Sequence, residues 1–444
     1  MKEVIAAARV AQRPWTTATL RQRLAILPPL RIAIAENATL LAQLAAAPND
    51  RPLTEKLTAE VIPLLDACRF LERNAKRILR PQKFGARGRP LWLRGHSFVV
   101  ERRAFGVVLI VGPGNYPLFL AGVQLLQALV AGNAVLLKPA EGCSAPLRWL
   151  VDQMRERRLI NPDLVQLLPE PPAAAQQAAR AGVDKVIFTG SSENGRGFLA
   201  LLAEQNTPGI FELSGADIVI VRHDADLERA AKAIAFGRRL NAGDTCMAPQ
   251  AVLVQENARI GLTSRLRQLG LGDLEVRAFA DDQGALALAR ENPYGLGASI
   301  FSADENAARL LARHLPTGFV TINDLIAPTA DPRFPFGGVR ESGFGSTRGV
   351  EGLRDLTYPH VIALRRGRWL PHLEAVKMGD EKIFGAYIKM VYGGGRDRFK
   401  SIGAFLRAAR QRGGAAGVLP ANAPARQVAT KTRAADTAAS TSAK

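Results

Sequence analysis

The stretch SFVVERRAFGVVLIVGPGNYPLFLAGVQLLQALVAGNAVLLKPAE, residues 97–141, decides the fold. Its first part reads as an extended strand, Gly106 breaks it, and VVLIV (107–111) follows as a strand apolar on both faces. GPGNYP (112–117) is a turn, the apolar run behind it is a buried helix, and AVLLK (134–138) is another buried strand. Strand, glycine turn, helix, strand is the repeating unit of a doubly wound parallel sheet. The same beat returns in KVIFTGSSENGRGFLALLAEQ, residues 185–205. The expected class is therefore α/β.

Upstream, Leu20, Leu24, Leu27 and Leu30, and then Val61, Leu64, Leu65 and Cys68, fall at helical spacing. They predict amphipathic helices covering one face of that sheet. With 444 residues and 47% hydrophobic content, the chain exceeds what one hydrophobic core usually holds, so two major lobes are expected. No secretory h-region stands at the N-terminus. The most apolar stretch, Val107–Leu137, is interrupted by Gly112, Pro113, Gly114, Asn115 and Pro117, which argues against a membrane span. The reading is a soluble, cytoplasmic protein. Three cysteines with neither disulfide-framework nor metal-ligand spacing agree with a reducing compartment and no metal site.

Those cysteines differ in setting. Cys68 lies on an apolar helix face and reads as core; Cys143 follows a strand; Cys246 lies in the polar segment NAGDTCMAP, where a thiol has the access and polarising surroundings a nucleophile needs. Glu212, after a strand in GIFELSG, has small neighbours, and partial burial would raise its pKa as a general base requires. Its plainer reading is a capping or salt-bridging glutamate. Asn115 sits in a turn where asparagine is commonplace, and its functional reading is an amide donor to an oxyanion.

In order, GPGNYP, KPAE, FTGS, ELSG, NAGDTCMAP, NPYGLGASIF, VTIND and PFGGVRESGFGSTRGVEGL resemble the segments of the aldehyde dehydrogenase superfamily, over about residues 15–360. The short N-terminal arm is similar to that of its class-three-like branch. The resemblance implies a doubly wound NAD(P)-binding domain over residues 1–211, with a bridging strand near 96–105, and an α/β catalytic domain over 212–360. It implies that Cys246 attacks an aldehyde, that Asn115 and the Cys246 backbone N–H hold the oxyanion, and that Glu212 activates water to release a carboxylic acid. Pro113, Lys138, Glu141, Gly190 and Ser191 would bind the cofactor, NAD in preference to NADP because Glu141 disfavours a 2′-phosphate. Tyr116 and Phe336 would line the aldehyde pocket. A homodimer with strands bridging the subunits is expected.

The chain departs from the family between the nucleophile and PFGG, where only 89 residues separate Cys246 from Pro335. The lost piece includes E-I-F-G-P, whose glutamate holds the nicotinamide ribose; Gln268 and Glu275 stand nearest in spacing, and neither earns the role by spacing alone. Gly114 replaces a tryptophan, Ser214 a glycine and Asp244 a glutamine, and Asp244 is expected to disfavour the Cys246 thiolate. CoA-linked aldehyde formation and a non-catalytic scaffold remain alternatives to aldehyde oxidation.

The charge of +19 is uneven, with sixteen Lys and Arg against five Asp and Glu from residue 361 onward. Over residues 361–413, a bridging segment leads into a helix in which Phe399, Ile402, Phe405 and Ala409 are spaced as one apolar face among arginines and lysines. That helix suits the surface of an anionic membrane, as in some related enzymes of fatty aldehydes, or the protein's own surface. Residues 414–444 have the composition of a disordered tail. No nucleic-acid-binding module accompanies the charge.

Overall fold

The computed structural model describes residues 1–45, 51–93, 95–366 and 370–411. They form two compact units, Met1–Gln82 with Val100–His360, and Lys83–Val99 with the chain from Val361.

The first unit contains two large sheets. Five strands, β1 (Val107–Val111), β2 (Ala134–Lys138), β3 (Val165–Leu167), β4 (Lys185–Thr189) and β5 (Gly209–Glu212), run parallel in the spatial order β5-β4-β1-β2-β3. β1, β2 and β4 are buried along their whole length, as strands covered on both faces must be. The chain then passes into a second parallel sheet of β6 (Asp217–Val221), β7 (Pro249–Gln255), β8 (Glu275–Phe279), β9 (Gly297–Phe301) and β10 (Phe319–Ile322), ordered β8-β7-β6-β9-β10. A short strand, β11 (Gly343–Phe344), returns to the first sheet and pairs antiparallel with β5, Gly343 opposite Glu212.

The expected strand break is at Gly106, whose φ of +136° suits glycine. Behind β1, every residue of the helix Phe119–Ala131 is buried, so its lack of a polar face is no anomaly. Gly132, left-handed at φ +100°, ends it. Its first turn is capped by a carboxylate far away in sequence: Glu60 Oε2 accepts the N–H groups of Leu118 and Phe119 at 3.0 and 2.9 Å. Glu60 comes from a π-helical turn, Leu57–Val61, and its other oxygen takes the Arg51 guanidinium at 2.6 Å.

The N-terminal helices pack where the leucine spacing placed them, with Leu27, Leu30, Leu64 and Cys68 wholly buried. Among the described residues no single helix is long and apolar enough to cross a membrane. Leu20–Glu36 and Ala38–Leu44 are apolar enough only as a pair bent by 81°, and they bury Ile34 and Leu41 in the core.

In the second unit, the helices Asp380–Tyr392 and Gly395–Gln411 form a hairpin with Tyr387 against Phe405, ring centroids 6.2 Å apart. The expected basic helix exists, but its apolar face is divided. Ala409 is buried whereas Phe399, Ile402 and Leu406 point outward. The strands Gln82–Phe84, His96–Ala104 and Thr357–Arg365, along which the chain passes between the units, pair as three strands with Thr357–Arg365 at an edge, and its Val361 and Leu364 are more than half exposed. The segment 414–444 lies outside the described residues.

Candidate active site

Strand register brings the site together. Val111 of β1 pairs with Lys138 of β2, and Thr189 of β4 with Glu212 of β5, so four strands end nearly level. From β1 the chain builds outward through β2 and β3, then crosses to β4 and β5 on the other side. The crevice beyond the strand ends at such a reversal is where doubly wound sheets bind ligands. A cavity of about 370 Å³ opens there, lined by Pro113, Gly114 and Asn115 after β1, Gly190 and Ser191 after β4, and Ser214 and Gly215 after β5. A larger cavity of about 700 Å³ is lined by Tyr116, Phe119, Phe236, Met247, Ile326 and Phe336 among others. Cys246 and Glu212 line both.

The loop carrying Cys246 is held in an unusual shape. Asn241 and Ala242 are left-handed at φ +53° and +52°, a conformation that costs non-glycine residues about 1–2 kcal/mol each and is kept only when the surroundings enforce it. Asn241 provides the enforcement. Wholly buried, it donates its backbone N–H to Glu55 Oε1 at 2.9 Å and its side-chain amide to the carbonyls of Asn115 and Asp244, both at 3.0 Å. Gly215 is required beside it, because a Cβ there would lie 2.3 Å from the Cys246 carbonyl oxygen.

Asn115 donates one side-chain N–H to the Asp244 carbonyl at 3.2 Å, while its Oδ1 accepts the Tyr116 N–H at 2.9 Å. The tyrosine hydroxyl bonds the Thr245 hydroxyl at 2.7 Å, next to the thiol. Glu212 is more deeply buried than its sequence setting implied, at 2% exposure. The Thr347 hydroxyl donates to Oε2 at 3.0 Å, and Oε1 is buried without a hydrogen-bond partner. Burial pushes the Glu212 pKa up, against the pull of Arg348 and the Thr347 hydroxyl.

Burial also raises the Cys246 thiol, aided by the negative charges of Glu212 and Asp217 and opposed by Arg348. Asp244, expected to be the offending carboxylate, is exposed and is not among these charges; it serves the site through its backbone carbonyl. Asp217, buried at the start of β6 and bonded to the Gly297 N–H at 3.0 Å, is pushed up to about 7 by burial.

Phe336 and Tyr116 line the larger cavity, and Pro113, Gly190 and Ser191 the smaller one. Ser191 caps the helix Ser192–Gln205 by accepting the Asn194 N–H at 3.2 Å, and the Ser192 N–H turns to the Ser214 hydroxyl at 3.2 Å. Lys138 and Glu141 stand at the neighbouring strand end and line neither cavity; burial pulls the lysine pKa down while Glu141 and Glu170 oppose. Gln268 ends the helix Arg259–Gln268, and Glu275 opens β8, exposed and paired with Arg277 at 3.9 Å. Neither lines either of the two cavities at the site.

Four positions escaped the sequence reading: Asp217, Asn241, Thr347 and Arg348. Only Arg348 left a trace, as a lone cation in the glycine-rich run GFGSTRG.

The aldehyde dehydrogenase family profile matches residues 1–272 and 274–362. A 4,4'-diapolycopene aldehyde oxidase of Methylomonas sp is 28% identical over 88% of this chain and 87% of its own length. A probable coniferyl aldehyde dehydrogenase of Pseudomonas aeruginosa is 29% identical over 68% of this chain and 77% of its own. The crystal structure of an NAD-dependent aldehyde dehydrogenase from Sinorhizobium meliloti superposes with a TM-score of 0.77 at 24% identity, covering 84% of this chain and 88% of that one, which supports the fold. With a profile spanning most of its length, and Cys246, Asn115 and the buried Glu212 lining one crevice, this chain belongs to the aldehyde dehydrogenase family.

Proposed function

We propose that this protein oxidises apolar aldehydes to carboxylic acids with NAD or NADP, through a covalent adduct on Cys246. The observation that carries the reading is the position of Cys246 and Glu212 at the shared wall of two cavities, one at a dinucleotide-type crevice and one largely apolar.

The crevice fits a dinucleotide by its own features. It lies at the reversal of strand order, beside a helix N-terminus and turns of glycine and serine that admit a phosphate. Pro113, Gly190 and Ser191 would hold the cofactor there, with Lys138 and Glu141 at the next strand end. When bound, NAD or NADP supplies the hydride acceptor that carries the Cys246 thiohemiacetal to a thioester.

The chain's residues perform the rest. The Cys246 sulfur attacks the aldehyde carbon, and the Asn115 amide with the Cys246 backbone N–H steadies the oxygen as its negative charge develops. Glu212 then takes a proton from water as that water attacks the thioester, and the thiolate leaves. Glu212, with one carboxylate oxygen left without a hydrogen bond, lines both cavities, which supports hydrolysis over transfer to CoA. The apolar lining favours a hydrophobic substrate, in keeping with relatives named for a polyene and an aromatic aldehyde. We further assign the exposed edge strand Thr357–Arg365 to a second copy of the chain.

The deciding experiment follows NADH and NADPH formation with short, long-chain and aromatic aldehydes for the wild type and Cys246→Ala. Turnover of the apolar aldehydes that vanishes in the variant is expected. Turnover that persists in Cys246→Ala would overturn the covalent mechanism, and none with any aldehyde would overturn the oxidation.

A further inference from the structure

Arg348 is 5% exposed, yet it lines the same cavity as Cys246 and Glu212. Among the described residues it has no carboxylate within salt-bridge distance; Nη1 donates to the Thr329 carbonyl at 2.6 Å, and Nε has no hydrogen-bond partner. Its guanidinium lies over the Phe336 ring at 4.3 Å and the Phe119 ring at 5.3 Å, and these two faces set its position. Its backbone, at φ +60° and ψ 177°, occupies a region normally left to glycine, at a cost of about 1–3 kcal/mol. An arginine buried without an ion pair and held on a strained backbone is expensive as a packing residue. The cost makes sense if its charge acts across the cavity.

We propose that Arg348 is the built-in countercharge of the site, a positioning residue that favours the ionised forms of the attacking sulfur of Cys246 and the water-activating carboxylate of Glu212. Both need help. The charges that act on the sulfur are those of Glu212 on β5 and Asp217 on β6, with Arg348 as the opposing cation; the Tyr116 hydroxyl feels Cys246, Arg51 and Glu55. Glu212 shares its buried environment with Thr347 and Arg348. The backbone joins these roles, since Thr347 bonds Glu212 and the next residue supplies the charge. Burial pulls the Arg348 pKa down while Glu212 and Cys246 oppose, and a guanidinium starts so far above neutrality that its charge persists where the two acids are compared.

The inference rests on the roles assigned above to Cys246 and Glu212, and its test needs neither aldehyde nor cofactor. Iodoacetamide labelling of Cys246, read by peptide mass spectrometry, is measured against pH in the wild type, Arg348→Met and Arg348→Lys. Loss of the cation should move the labelling midpoint upward by about one pH unit or more, making labelling near neutral pH about tenfold slower and restoring the wild-type plateau in alkali. Arg348→Lys should retain most of the wild-type midpoint. A slowdown uniform across pH, an unchanged midpoint in Arg348→Met, or equal shifts in both variants would overturn the countercharge. If Arg348→Met does not fold, Arg348→Gln and Arg348→Lys give the same comparison. Failure of the aldehyde reaction would appear separately, as turnover surviving in Cys246→Ala.

Discussion

At the residue scale, the site is a set of groups kept uncomfortable. Glu212 is buried with one oxygen unbonded, and its raised pKa carries a stability consequence. A carboxyl group whose folded pKa lies above its unfolded value stabilises the fold below the unfolded pKa, and that contribution is lost as pH rises through the folded pKa. Above the ordinary carboxyl range the buried glutamate therefore costs stability in exchange for its proton affinity. Glu212→Gln should melt at a higher temperature than the wild type at neutral pH, with the gain shrinking as pH falls toward the ordinary carboxyl range. It should also stop after the acylation step, accumulating a thioester that mass spectrometry detects on Cys246. Asn115→Ala should fold normally and lose about 10²–10³ in kcat, the usual effect of removing one oxyanion donor. An unchanged rate would assign the amide to holding Asp244 alone.

At the element scale, segments distant in sequence hold one another in place. The helix Phe119–Ala131 starts properly because Glu60, from the Leu57–Val61 turn, accepts its first N–H groups and is paired to Arg51. Both partners of that pair are almost wholly buried. Removing one of them strands the other charge in the interior, so Glu60→Ala should lose about 3–5 kcal/mol in urea unfolding. A loss within experimental error would show that water reaches Arg51. The spacing Val61, Leu64, Leu65 and Cys68 predicted this helical region, but nothing in it predicted the carboxylate's destination. The same limit applies to Asn241, which reads locally as a turn residue and folds into the tie between the loops that carry Asn115 and Cys246.

At the scale of the whole molecule, the edge strand Thr357–Arg365 presents Val361, Ile362 and Leu364 outward. An apolar edge that the described residues leave uncovered invites pairing, and a second copy would cover it. Sedimentation velocity should therefore show a dimer, and Val361→Lys with Leu364→Lys should shift it toward monomer without loss of secondary structure. A wild type that sediments as a monomer at all concentrations would leave this edge without its assigned partner.

The sequence alone determined the α/β class and the two runs of strand, turn and helix, and it singled out Cys246, Glu212 and Asn115 as the candidate groups. Apolar periodicity and glycine turns are local, and the chemistry of a thiol, a carboxylate or an amide travels with its residue. The tertiary structure decided which charges meet. Asp244 is two residues from the thiol yet is not among the charges that shift it, whereas Asp217 and Arg348, 29 and 102 positions away, are. Electrostatic influence depends on distance through a buried medium and on desolvation, and neither is written along the chain until strand register and loop shape have placed the groups.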